Sequence, residues 1–293
     1  MPGPGLFMWV VMVALVVFAT WTVRRLRFWQ ARELPFYRSG ELFCLAHRGI
    51  PTKAPENTLP AFREAVAAGV DGIELDVLET ADGVVIVRHD FDLERTTDGE
   101  GYVWERTWDE ISRLNAAHRQ PEGYPPTPVP RLDEVLALIP GDMLINIEIK
   151  SHHWRPTGIE AKVVEMVGKQ NMVERTMISS FNPLVLLKVR RLDPQLALAL
   201  IWWDENVPWL LRRPRLLGLL RPDCLHPNMA LVTPEVVNRA HRRGMRVNVW
   251  TVNNRPMIEY LRSIGVDGIF TDFPELVAEV NRAADFKALK LAG

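Results

Sequence analysis

Short apolar runs alternate with amphipathic helical stretches from about residue 42 onward, and this alternation limits the fold more than any other feature of the chain. Parallel strands cannot be joined by tight turns. They need a crossover, usually a helix, so the alternation reads as βα units around a parallel sheet. Strand signals fall at 43–47, 72–77, 84–89, 143–150, 176–180, 197–202, 223–226, 246–252 and 268–271. Helical periodicity falls at 58–68, 159–169, 183–191, 234–243 and 256–264, and in the first of these Leu59, Phe62, Ala65 and Val66 share one face. Pro60, Pro183, Pro234 and Pro256 stand in first turns, where a missing N–H is tolerated. The order predicts an α/β fold of the (β/α)8 TIM-barrel type, which uses about 250 residues as one domain.

Nine strand signals compete for eight barrel positions. Thr80-Ala81-Asp82-Gly83 is too short to hold a crossover helix, so one of the strands it joins is expected to form a hairpin. The polar, proline-rich stretch 115–130 reads as a surface insertion. Cys44 and Cys224 lie on apolar strand-like runs and are expected to pack in the core rather than form a disulfide. The formal net charge is −1 with no basic tail, which leaves no footprint for nucleic acid, and no protein partner is legible.

The N-terminus is of another kind. Residues 6–23 carry no charge, and about 18 residues at a rise of 1.5 Å each nearly cover a hydrocarbon core of about 30 Å. Trp9 and Trp21 stand near the ends of this run, and Arg24, Arg25, Arg27 and Arg32 follow it. The pattern predicts a single-pass membrane helix over about 6–23 with a basic juxtamembrane segment to residue 40, and a barrel domain over 41–293 on the cytoplasmic side. A cleaved signal peptide fits less well, because a basic leading region and a small-residue cleavage site are both missing.

In a barrel of this type catalytic groups gather at the carboxyl ends of the strands. Here those ends carry His47-Arg48, Glu74-Leu75-Asp76, His89-Asp90, Glu148-Ile149-Lys150, His226, Trp250 and Asp272. The two-residue period sends Glu74 and Asp76 to one face, and Glu148 and Lys150 likewise, so these groups are expected to face the barrel interior. Three converging carboxylates at Glu74, Asp76 and Glu148 need protons or a cation, and an all-oxygen set suits a hard divalent ion, Mg²⁺ or Ca²⁺. The competing reading is a salt-bridge network that closes the barrel end. His47 and His89 suit a general acid and a general base, while Arg48 and Lys150 suit an anionic substrate. Together these groups describe phosphodiester cleavage better than sugar or acyl chemistry.

His47-Arg48-Gly49, Pro55-Glu56-Asn57-Thr58, Glu74-Leu75-Asp76, His89-Asp90, Glu148-Ile149-Lys150 and the later Trp250-Thr251-Val252 and Gly268-Ile269-Phe270-Thr271-Asp272 resemble, in that order, the glycerophosphodiester phosphodiesterase family over roughly 42–274. The resemblance implies a TIM barrel of the phospholipase C-like phosphodiesterase type that hydrolyses glycerophosphodiesters with a divalent metal. It implies His47 and His89 as the acid/base pair, Glu74, Asp76 and Glu148 as metal ligands, and Arg48 and Lys150 as phosphate contacts, with Trp250 on the substrate side. It also implies attack by the neighbouring glycerol hydroxyl and a cyclic phosphate that water opens. Gly49 is expected to let the chain turn close to the ligand, and Asn57 or Thr58 to cap the next helix. Two residues stay open: Glu56 as a fourth ligand or a loop-orienting group, and His226 as a pocket or a packing residue.

Residues 202–221 mix tryptophan, leucine and arginine where a barrel-mouth loop belongs, in the manner of a segment lying on an anionic bilayer; an ordinary packed helix is the other reading. An anchor plus such a lip suggests membrane lipid as a partner and a lysophospholipid substrate cleaved at its head-group ester, as in lysophospholipase D. Water-soluble glycerophosphodiesters are the alternative substrates, and a non-catalytic barrel that binds head groups is a second alternative.

Overall fold

A computed structural model of the chain describes residues 4–37, 41–119, 123–151, 157–203 and 214–292. Nine strands form one sheet: β1 (Phe43–Ala46), β2 (Gly72–Glu79), β3 (Val85–Val87), β4 (Leu144–Ile149), β5 (Thr176–Ser180), β6 (Ala197–Trp202), β7 (Cys224–Pro227), β8 (Arg246–Val249) and β9 (Gly268–Thr271). Neighbours run β1-β9-β8-β7-β6-β5-β4-β2-β3, and a β1–β2 pairing closes the ring. Among the described residues, eight parallel strands make the barrel, with β3 as an antiparallel addition to β2 outside it. Crossover helices include Leu59–Ala68, Ile159–Lys169, Pro183–Leu192, Pro234–His241 and Arg255–Ser263, close to the stretches where the sequence shows helical periodicity.

The surplus ninth strand is therefore the hairpin. β2 continues to Glu79, past the level of its site residues, and Thr80 and Gly83 close the turn through a 2.9 Å hydrogen bond. β3 then descends antiparallel, with Val87 opposite Val77, so the chain re-enters the mouth beside Asp76. Arg88 N–H donates to the Asp76 carbonyl at 2.9 Å, and His89 follows immediately.

The two-residue period sorts the strands into two apolar layers. Ile73, Leu75, Val77, Ile145, Ile147 and Ile149 join the cluster under the helices. Leu45, Leu144, Met177, Ala199, Cys224 and Phe270 fill the barrel interior. Cys44 and Cys224 are free thiols in these layers, as expected.

The segment after the first helix closes the floor of the barrel. Leu34, Phe36 and Tyr37 pack into the interior layer, and Asn248 Nδ2 donates to Tyr37 Oη at 2.5 Å. Arg32 donates to the Pro194, Gln195 and Leu196 carbonyls and pairs with Asp223 at 3.0 Å. Arg190 pairs with the same carboxylate at 2.8 Å, and Leu198 N–H donates to it. Arg32, one of the arginines of the basic segment, is thus spent on the barrel.

The first helix spans Pro4–Arg27, and its apolar side chains from Met8 to Val23 are largely exposed where described. Among the described residues no helix is long and apolar enough to cross a membrane. The spanning helix expected over 6–23 is thus not borne out. A span needs about 20 consecutive apolar residues, and the side chains at 6, 7, 10 and 11 lie outside the described residues. The end of this helix seats on the helix Pro214–Leu220, where a Cβ at Gly218 would lie 2.1 Å from the Leu26 carbonyl oxygen. Leu217 and Leu220 pack on the core, so this part of the expected lip is an ordinary packed helix; positions 204–213 lie outside the described residues.

Asp223 generates a stability prediction. Burial opposes its charge, yet Arg32 and Arg190 outweigh that and hold its carboxyl below the ordinary range. A carboxylate depressed in the folded state stabilises fully above its unfolded pKa, about 3.9, and loses that contribution as pH falls below it. Asp223→Asn should cost about 3 kcal/mol at neutral pH, because it removes the one charge with which both arginines pair. Thermal melts of the two proteins should differ by a constant amount from about pH 8 to 5 and converge below about pH 4; a gap that persists in acid contradicts the ion-pair account.

Candidate active site

Glu74 and Asp76 alternate on β2, and the register of β4 sets Asn146 opposite Glu74 and Glu148 opposite Asp76. All four are buried, and Glu74, Asn146 and Glu148 line the mouth. One carboxylate oxygen from each of Glu74, Asp76 and Glu148 lies within 4.8 Å of the others. Lys150 Nζ stands 2.7 Å from Glu148 Oε1 and 3.1 Å from Asp76 Oδ1, yet neither oxygen receives a hydrogen bond of proper direction. Arg48 N–H donates to Glu74 Oε2 at 2.9 Å, and Arg48 Nε lies 3.4 Å from Asp76 Oδ2.

Two cations face three carboxylates, and the electrostatics follow. Burial and the charges of Asp76 and Glu148 raise the Glu74 carboxyl well above the ordinary range. Burial also opposes the Asp76 anion, but Lys150 and Arg48 overcome it and hold that carboxyl low. The cluster is one positive charge short of accommodating three anions. Open buried oxygens of this kind fit a hard divalent cation.

Each histidine is fixed by a carboxylate. His47 Nδ1 lies 2.7 Å from Asp272 Oδ1, and Asn253 holds the same carboxylate through Nδ2 at 2.6 Å and accepts from the Asp272 N–H at 2.9 Å. His89 Nδ1 lies 2.7 Å from Asp90 Oδ1. Such pairing makes Nδ1 the donor and leaves Nε2 as the exchangeable nitrogen. Burial works against Asp90, but hydrogen bonds from His89 and Arg95 bring its carboxyl down to about 2, and the His47 contact lowers Asp272 in the same way.

His47, Arg48, Glu74, His89, Glu148, Lys150 and Trp250 line one cavity of about 750 Å³, so the barrel mouth gathers the site residues expected from the sequence. Asp76 sits behind Lys150 and Arg48. Phe181, Trp203 and Trp250 form an apolar wall, with rings edge-on at 5.6 and 5.9 Å. Trp250 Nε1 is spent on the His226 carbonyl at 2.6 Å, so its ring meets the cavity as an apolar surface.

The structure decides the open residues. Glu56 is not one of the three clustered carboxylates; it accepts from Arg48 Nη1 at 2.9 Å and from Arg95. His226 packs on Phe270 at 4.8 Å between ring centres and contacts Asn248 Nδ2, and burial lowers its pKa to about 3; it also lines the cavity, so it is a neutral residue packed into the cavity wall. Asn57 does not cap a helix. Its Nδ2 donates to Asp76 Oδ2 at 2.9 Å, and its Oδ1 accepts from Asp76 N–H. Thr58 is the N-cap residue, but its hydroxyl donates to the Pro55 carbonyl instead. Gly49, with φ of 83°, makes room for the following helix rather than for a ligand: a Cβ there would lie 2.6 Å from the Ala61 carbonyl carbon. Arg48 and Asn57 both take φ of 56°, an uncommon choice for these residues, and a 3.0 Å hydrogen bond from Asn57 N–H to the Arg48 carbonyl closes their loop. The orienting roles of Asp90, Asp272, Asn253 and Asn57 are absent from the sequence reading, although His89-Asp90 and Thr271-Asp272 already stand at strand ends.

Comparison with known proteins agrees with this geometry. The Glycerophosphoryl diester phosphodiesterase family matches residues 47–276. A glycerophosphodiester phosphodiesterase from Caldanaerobacter subterraneus subsp. tengcongensis is 39% identical over 242 residues, covering 81% of this chain and 97% of the relative. One from Bacillus altitudinis is 38% identical over 240 residues, covering 80% and 96%. The structure of an Oleispira antarctica phosphodiesterase in complex with the product sn-glycerol-3-phosphate superposes with a TM-score of 0.71 at 26% identity, covering 84% of this chain and 97% of that one. With the barrel, the acid cluster and the paired histidines in place, the chain belongs to the glycerophosphoryl diester phosphodiesterase family.

Proposed function

We propose that this protein hydrolyses water-soluble glycerophosphodiesters to sn-glycerol 3-phosphate and an alcohol. The observation that carries the reading is the pair of carboxylate-held histidines facing one cavity together with Arg48, Lys150 and the acid cluster. The Oleispira relative's complex with sn-glycerol-3-phosphate supports the product class.

In this reading Arg48 and Lys150 bind the phosphate, and the glycerol hydroxyl next to it is the nucleophile. One of His47 and His89 takes the proton from that hydroxyl as its oxygen bonds to phosphorus. The other gives a proton to the departing alcohol oxygen. A cyclic glycerol phosphate results, and the same two groups in exchanged roles deliver water to reopen it. Glu74, Asp76 and Glu148 would hold a divalent cation, Mg²⁺ or Ca²⁺, whose chemistry is Lewis-acid stabilisation of charge on the phosphoryl oxygens. Asp272 and Asp90 keep each histidine in one tautomer, and Asn57 keeps Asp76 turned toward the cluster.

The lysophospholipase D reading rests on a membrane anchor and a lipid-facing lip. The relatives are glycerophosphodiester phosphodiesterases, and this supports the soluble diesters as the first reading.

Assayed by release of choline and sn-glycerol 3-phosphate, the purified protein should turn over glycerophosphocholine faster than lysophosphatidylcholine. Chelator should abolish turnover, Mg²⁺ or Ca²⁺ should restore it, and His47→Ala or His89→Ala should each lower kcat by about 10²–10⁴-fold. No turnover of either substrate would favour the non-catalytic binder. Asn57→Ala should weaken Mn²⁺ binding by about 10–100-fold in a titration followed by electron paramagnetic resonance, because it frees a metal-facing carboxylate to turn away. Unchanged affinity would remove Asn57 from the site.

A further inference from the structure

Arg95 lies outside the cavity, yet it joins two parts of the site. Its Nε donates to Asp90 Oδ2 and its Nη2 to Glu56 Oε1, while Nη1 reaches Glu56 Oε2 at 3.1 Å. Asp90 Oδ1 in turn holds His89 Nδ1, and Glu56 Oε1 is held by Arg48 Nη1 at 2.9 Å. The path His89–Asp90–Arg95–Glu56–Arg48 thus ends 3.4 Å from Asp76 in the acid cluster. Both carboxylates of the path are largely enclosed, with side chains 12% and 15% exposed. Their charges are kept on against burial, Glu56 by Arg95 and Arg48, and Asp90 by His89 and Arg95.

The loop that carries Arg95 is braced independently. Arg88, a buried guanidinium, donates from Nη1 to Thr96 Oγ1 at 2.6 Å and from Nη2 to the Asp92 carbonyl at 2.5 Å. Thr97 Oγ1 donates to the Leu93 carbonyl, and Leu93 is buried. These contacts fix the backbone from which Arg95 is presented. The planar fork of arginine presents three nitrogens to the two carboxylates at once, a geometry that the single point of an ammonium does not reproduce.

We infer that Arg95 is a positioning residue that holds Asp90 against Glu56 and thereby sets the His89 ring relative to the acid cluster. The inference rests on the proposed phosphodiesterase activity. Arg95 does not line the cavity, and of the two cavity residues that its partners hold, His89 and Arg48, the inference assigns its effect to His89.

The test is a double-mutant cycle on metal-restored glycerophosphocholine hydrolysis. Arg95→Ala should lower kcat by about 10–100-fold, the loss expected for a misplacement of about 1 Å, with KM within about threefold of wild type. In the His89→Ala background the same substitution should change the remaining rate by no more than about threefold, because a group that acts through His89 has nothing left to position. Losses that multiply across the cycle, or a rise in KM with kcat intact, overturn the inference. If Arg95→Ala does not fold, Arg95→Lys replaces it in the cycle; it keeps the charge without the fork, and the same non-additivity is required of it. A wild type that does not turn over the diester overturns the activity itself and the inference with it, whereas an active wild type with multiplying losses overturns the inference alone.

Discussion

Three buried carboxylates within 4.8 Å of one another are the constraint on which the rest of the site depends. Like charges this close cannot all remain ionised in a protein interior without compensation, and Arg48 with Lys150 supplies two positive charges for three. The consequence is visible on Glu74, whose carboxyl is pushed up while Asp76 is held down. Every neighbouring element answers this imbalance. Arg48 takes a left-handed backbone and thereby turns both its N–H and its guanidinium toward the cluster. Asn57, also left-handed, spends its amide on Asp76 rather than on the helix behind it.

The barrel brings in the histidines by two routes. His47 follows β1 directly, and its carboxylate comes from the end of the adjacent strand β9. His89 comes from the hairpin: β2 overshoots, β3 returns, and the descending chain delivers His89 at the depth of Asp76. A regular crossover helix after β2 would have carried the chain away from the mouth. The antiparallel strand is thus what lets two histidines converge on one cavity.

Much of this was legible in the sequence, because it follows from a period of two. Ile73 to Val77 and Ile147 to Lys150 sort acids from apolar residues strictly enough to put Glu74, Asp76 and Glu148 inside before any coordinates are known. The short turn at 80–83 likewise forecast a hairpin, and it supplied the strand that exceeded eight. What stayed hidden depends on contacts far along the chain or on local choices with two readings. Arg32 looks like one of a run of flanking charges until Asp223, 191 residues later, is seen to accept it. Asn57 before a helix reads as a cap, and only the packing of Asp76 shows the other use of the same amide. Gly49 signals a close approach correctly, but nothing in a single sequence says that Ala61 is the neighbour. An apolar run such as 6–23 has the composition of a span, while its continuity as one is not established among the described residues.

The claim that a cation completes the acid cluster is tested most directly by crystals grown with Mn²⁺ and measured at a wavelength where manganese scatters anomalously. The account predicts an anomalous peak between β2 and β4, bounded by oxygens of Glu74, Asp76 and Glu148 at coordination distances of about 2.0–2.6 Å. A cluster that holds no ion, with Glu74 hydrogen-bonded as a neutral acid and the peak absent or elsewhere, would contradict it and leave the three carboxylates as a structural network of the barrel end.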